Sequence, residues 1–128
     1  MKIKFFVLTI LAVFLAGAVN LSAFCVYNNT DKKIYVKEIS GGGYFSRFES
    51  VIEPGEKDCC NWKNKGCNKK KKRDSKLKFM VKYIDYVGGP MPDDSDAYFY
   101  ICKKTIKAGG SLSITGKKGH YNCNAKGY

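Results

Sequence analysis

Histidine and tryptophan occur once each in this 128-residue chain, proline three times, and no long hydrophobic run follows residue 23. With His120 as its one imidazole, the chain has no mechanism that needs two. It contains no Gly-x-Ser-x-Gly elbow and no His-Glu-x-x-His pair. The Gly41-Gly42-Gly43 run lacks the strand-to-helix setting of a phosphate loop and reads as a hairpin connection. Without a Cys-x-x-Cys pair there is neither a thioredoxin-type redox centre nor a closely spaced zinc pair. Acidic side chains are also scarce, 11 against 23 basic ones, for a formal charge of +12.

What is present begins with a leader. Met1 to Ala23 opens on Lys2 and Lys4, runs apolar from Phe5 to Val19 and ends in small residues, the pattern of a cleavable signal peptide. The apolar run is shorter than the roughly 20 residues that span a bilayer. Two cleavage sites fit: after Ala18, within Ala16-Gly17-Ala18, and after Ala23. Phe24 precedes Cys25 where a lipoprotein needs a small residue, which argues against lipid attachment. Processing at Ala23 leaves residues 24–128 as one exported domain, extracellular, or periplasmic in a Gram-negative bacterium, and takes the charge from +12 to +10.

Apolar and polar residues alternate through that domain, a β pattern. From Lys76 to Val87, the side chains of Leu77, Phe79, Val81 and Tyr83 face one side and Lys76, Lys78, Met80 and Lys82 the other. Further strands are expected in Phe24–Tyr27, Lys32–Ile39, Gly43–Ile52, Asp58–Trp62, Ala97–Ile106, Ser111–Thr115 and Tyr121–Cys123. Turns are expected at Asn28-Asn29, Gly41 to Gly43, Pro54-Gly55 (type II, marking a hairpin), Gly88 to Pro92, Gly109-Gly110 and Gly116 to Gly119. Seven or eight short strands predict an all-β fold, an antiparallel sandwich or a small barrel.

Six cysteines in an exported chain of this size predict three disulfides bracing that fold: Cys25, Cys59, Cys60, Cys67, Cys102 and Cys123. Cys59 and Cys60 are neighbours on one strand, so they point to opposite faces and do not pair with each other. One of them is expected to bridge to Cys67 and pin the base of the segment that follows, with Cys102 joined to Cys25 or Cys123. Zinc held by Cys60, Cys67, another thiolate and His120 is the competing use, but an oxidising compartment works against thiolates. No pattern calls for a metal or other cofactor.

The charge is concentrated. Ten basic residues and one acid, Asp74, lie between Lys63 and Lys82, and Lys69, Lys70, Lys71, Lys72 and Arg73 are consecutive. Adjacent like charges repel, which predicts an exposed loop tip, and Lys76 and Lys78 would carry the positive surface onto the next strand. Asp85, Asp93, Asp94 and Asp96 follow as an acidic counterpart. A lysine patch attracts polyanions, whether acidic glycan, anionic lipid head group or nucleic acid, by charge more than by bidentate geometry. The same run would equally serve as a solubilising surface.

Most of the nine tyrosines and eight phenylalanines are expected in the core. Tyr83, Tyr86, Tyr98 and Tyr100 are candidates for a stacking platform. Asn28-Asn29-Thr30 is a glycosylation acceptor in a eukaryotic setting. These features predict a secreted, non-enzymatic protein that binds an anionic surface or polymer through Lys69 to Arg73, Lys76 and Lys78, as an effector or antimicrobial factor. Two other classes compete. One is a small hydrolase such as a nuclease, with His120, Glu49 or Glu53, and Arg47. The other is an inhibitor presenting the Trp62 to Asn68 loop.

Overall fold

The computed structural model describes residues 23–40, 48–63, 66–68, 72–85 and 97–127. Residues 1–22, all of the expected leader but Ala23, lie outside that set, as do Arg47, Lys65, Lys69 to Lys71, Tyr86 and Asp93 to Asp96. Eight strands form: β1 (Ala23–Thr30), β2 (Lys33–Glu38), β3 (Glu49–Ile52), β4 (Lys57–Asn61), β5 (Lys76–Ile84), β6 (Tyr98–Lys107), β7 (Ser111–Lys117) and β8 (His120–Lys126). They make two four-stranded sheets, in the orders β4-β1-β7-β8 and β3-β2-β5-β6. The fold is a sandwich, not a barrel. No helix among the described residues is long and apolar enough to cross a membrane.

Each strand sits where apolar residues alternate, because a pleated strand puts every second side chain on the face that meets the other sheet. Phe24 and Val26 of β1, Ile34 and Val36 of β2, Leu77, Phe79 and Val81 of β5, and Leu112 and Ile114 of β7 fill the space between the sheets. Phe24, Phe48 and Phe79 form its aromatic centre, with ring centroids 5.2, 5.5 and 5.9 Å apart in tilted and edge-on contacts. That geometry is the one preferred by aromatic quadrupoles.

Three features of connectivity differ from the sequence reading. First, β1 and β7 run parallel, with Cys25 opposite Ser111 and Thr30 opposite Gly116, so the sandwich is not antiparallel throughout. Second, Pro54-Gly55 closes no hairpin. Gly55 has the positive φ of 79° that the turn requires, but β3 pairs with β2 and β4 with β1, so the turn carries the chain from one sheet to the other. Third, Asn28 is not in a turn. It lies on the inward face of β1, fully buried.

Asn28 is buried because all of its polar atoms are engaged. Its Nδ2 donates to the carbonyls of Lys32 and Ile52 at 2.8 and 2.9 Å, and its Oδ1 accepts from the Thr30 amide and hydroxyl. Its own amide donates to Glu56 O, and its carbonyl accepts from Gly55 N. One side chain thereby joins the β1–β2 and β3–β4 crossings. A glycan on Nδ2 is incompatible with this packing.

The two open edges of the sandwich are tied differently. At one, Ser50 donates to Asp58 at 2.6 Å, joining β3 to β4. At the other, the Cys102–Cys123 disulfide joins β6 to β8. The remaining bridges are Cys25–Cys59 and Cys60–Cys67. Cys59 turns outward and Cys60 packs against the core, the division that strand alternation predicts.

Candidate anion-binding face

β5 places Lys76, Lys78 and Lys82 on the outer face of its sheet, at intervals of about 6.7 Å per two residues along the strand. The neighbouring strands extend this row sideways. On one side Met80 lies opposite Lys37 of β2, and on the other opposite Lys103 of β6, while Lys76 lies opposite Lys107. The result is a field of lysine ammonium groups from three strands. Among the described strand residues on this face, the acid is Glu49 of β3, which accepts the Tyr35 hydroxyl.

A β-bulge makes this field. The register shifts between Val81 and Lys82, whose partners are Cys102 and Tyr100, so Ile101 is the additional residue. Strict alternation from Tyr98 and Tyr100 would carry Lys104 to the outer face and Lys103 to the inner one. The bulge reverses the phase, as bulges do. Lys103 and Lys107 then join Lys76 and Lys78 outside, and Cys102 turns inward toward Cys123.

The segment that feeds β5 is anchored at its base. Cys60–Cys67 closes it on one side, and the buried Asn68 side chain donates to the carbonyls of Trp62 and Lys72, each at 2.9 Å. Beyond it, the Arg73 carbonyl accepts from Gly109 N, and the Ser75 carbonyl accepts from Ala108 N. Lys72 is exposed and Arg73 half-buried, so Arg73 belongs to the anchored base and not to a free tip. Lys76 and Lys78 fall where alternation puts them, and Lys72 is exposed shortly before the strand begins. Sequence reasoning missed Lys37, Lys103 and Lys107. Their signal was present as lysines at alternate strand positions, but the strand neighbours were not.

Tyrosines occupy the other end of the face. Tyr98 meets Tyr35 edge-on at 5.6 Å, and Tyr100, beside Lys82, is 60% exposed. Tyr83 faces the opposite way, stacked on Phe99 at 5.0 Å and against Tyr121 at 4.9 Å. The expected platform is therefore divided, with Tyr83 on the inner side and Tyr98 and Tyr100 on the outer.

Burial, and then the hydrogen bond to Glu49, raises the Tyr35 hydroxyl well above its ordinary pKa. A raised folded-state value favours the protonated form. Any stability from this pair is therefore complete below the unfolded value near 10 and is lost as pH rises through the folded one. In an alkaline titration followed by tyrosinate absorbance, Tyr35→Phe should remove one late-ionising group. An unchanged late phase would contradict the assignment.

At the end of the sandwich away from the lysine segment, Asp31 accepts from the Tyr121 hydroxyl at 2.6 Å and from Lys118 N at 3.0 Å. These bonds, Tyr121 first, hold its carboxyl below the usual value. Asp85, the described member of the acidic stretch, pairs there with Lys32 at 2.7 Å. The acidic counterpart thus begins at the far end from the lysine segment.

The competing constellations do not assemble. His120 lies on the edge strand β8, whereas Glu49 and Glu53 belong to or follow β3, the diagonally opposite edge strand. Three strand spacings of about 4.8 Å, about 14 Å in all, and the gap between sheets separate them. Cys60 and Cys67 are joined to each other and offer no thiolate to zinc. Trp62 packs against the core instead of projecting toward a partner, with the Lys63 ammonium 5.4 Å from its ring centroid.

Compared with known protein families, curated proteins and solved structures, the chain matches none of them.

Proposed function

We propose that this chain is exported and acts as a non-enzymatic binding protein, holding an anionic surface or polymer on the lysine face of the β3-β2-β5-β6 sheet and on the Lys69 to Arg73 segment that precedes β5 in sequence. The observation that carries the reading is the convergence of Lys37, Lys76, Lys78, Lys82, Lys103 and Lys107 from three strands onto one exposed face. Ammonium groups at such density, with little opposing charge, attract an extended anion over several contacts at once. Lysine's strong hydration and lack of a planar fork favour charge density over a particular sequence or sugar.

Export rests on the leader pattern of residues 1–23 and agrees with three disulfides, which form and persist outside reducing compartments. Cleavage after Ala18 keeps β1 whole. Cleavage after Ala23 would remove the residue paired with Asn61 and leave the new terminus on fully buried Phe24.

The test is retention of the oxidised protein on immobilised heparin, anionic vesicles and RNA across a salt series, beside a variant with Lys69 to Arg73 changed to Gln. The wild type should bind at least one of them, and the variant should elute at lower salt with a shallower salt dependence. Identical elution of the two proteins would make the segment a solubilising surface only. The matrix held to the highest salt identifies the class of partner.

A further inference from the structure

The other sheet carries a different site on its outer face. Its strand register sets Cys59 of β4, Cys25 of β1, Ser111 of β7 and Lys126 of β8 side by side in one row. The next row begins with Lys57 and Tyr27. Small side chains at Cys25, Cys59 and Ser111 leave a shallow floor between these taller neighbours. The resulting open groove has a volume of about 580 Å³. The Lys57 ammonium stands 5.6 Å from the Tyr27 ring centroid, over its face.

The geometry points to Cys25–Cys59 as an exchangeable disulfide, at which a small anionic thiol of the glutathione class binds and forms a mixed disulfide. Two observations separate this bridge from the other two. Cys59 is exposed in the groove, whereas Cys67 is 1% exposed and Cys102 and Cys123 are packed against the core. Cys25–Cys59 spans strands already paired over five residues, so opening it leaves the sheet in place. Cys102–Cys123 instead joins one sheet to the other, and Cys60–Cys67 closes the lysine segment. The groove itself is cationic: Lys57 lies two residues from Cys59 on the same face and Lys126 closes the other end of the row. Together they offer cations to the carboxylates of the thiol and to a sulfur leaving as thiolate.

The step balances. The incoming thiolate attacks Cys59 Sγ, the S–S bonding pair leaves on Cys25 Sγ, and that sulfur takes a proton from water. A second thiolate attacking the mixed disulfide releases the oxidised thiol dimer and leaves Cys59 reduced, two electrons having passed from two thiols to the protein. This inference does not depend on the anion-binding reading of the opposite face.

The experiment exposes the native, fully oxidised protein to reduced glutathione, traps free thiols by alkylation and maps them by peptide mass spectrometry over time. Cys25 and Cys59 should be alkylated or glutathionylated first, with the other four cysteines still paired. Opening of Cys102–Cys123 or Cys60–Cys67 first, or of all three together, overturns the proposal. A second arm compares wild type with Lys57→Gln/Lys126→Gln. Its exchange with glutathione should slow about tenfold, the low end of electrostatic steering, while exchange with cysteamine, a cationic thiol, should not slow. Equal slowing with both thiols, or none with glutathione, removes the anionic thiol from the reading.

Discussion

Changing Lys37, Lys78, Lys82 and Lys103 together to Gln is expected to lower affinity for vesicles rich in anionic lipid about a thousandfold. Each lysine near such a surface contributes about 1 kcal/mol, so four contribute about 4 kcal/mol, and each 1.4 kcal/mol is tenfold. The fold should survive, because all four side chains lie on the outer face and the core is untouched. Lys117→Gln/Lys118→Gln, at the β7–β8 hairpin of the other sheet, is the control and should bind nearly as wild type. Vesicle co-sedimentation at low salt reads both. If the quadruple variant binds within a few fold of wild type while the hairpin variant loses affinity, the face has been assigned to the wrong sheet. For RNA or heparin as the bound polymer, the same four changes should also flatten the salt dependence, since fewer counterions are then released.

The largest expected loss of stability comes from Asn28→Ala. The substitution removes a side chain that donates twice and accepts twice inside the sandwich. It leaves the Lys32 and Ile52 carbonyls and the Thr30 amide without that partner. Buried polar groups stripped of a partner cost about 1 to 3 kcal/mol each, so about 4 kcal/mol is expected against a total stability of about 5 to 15 kcal/mol. Asn28→Asp should be worse at neutral pH. It keeps the acceptor but turns a carboxylate oxygen toward the two carbonyls that Nδ2 now serves. Urea denaturation of the oxidised proteins measures both variants. A loss below about 1 kcal/mol for Asn28→Ala would mean that the two crossings are held without this side chain. The same side chain explains why the Asn-x-Thr triplet is no glycan site in this fold.

Much of this architecture could be read without coordinates. All eight strands lie within a few residues of the segments expected from alternation, because the period of two is a local property of a pleated chain with one buried face. The opposite orientations of Cys59 and Cys60 follow from the same rule. So does the choice of Cys60 for Cys67, once the inward member of the pair is known. Asn28 looked like a turn former because asparagine usually is one, and tertiary hydrogen bonds overrode that preference. Pro54-Gly55 is the expected turn chemistry, but the turn type does not say which strand comes next to which. The tyrosine platform divides because Tyr83 is in phase with Leu77, Phe79 and Val81 and faces the core, as the alternation of β5 itself implies, while Tyr98 and Tyr100 face outward.

By itself, then, the sequence determined the β class, the strand positions, the use of six cysteines in three disulfides and a basic stretch between Lys63 and Lys82, since each is set by residue type or by spacing along one strand. The tertiary structure alone decided the rest. It chose sandwich over barrel, set β1 parallel to β7, and carried Pro54-Gly55 between the sheets. Through the bulge at Ile101 it brought Lys103 and Lys107 beside Lys76 and Lys78, and it lined up Cys59, Cys25, Ser111 and Lys126. Both candidate faces combine side chains from three or four strands. Such neighbours are fixed by which strands bury their apolar faces together, a choice that no local pattern encodes.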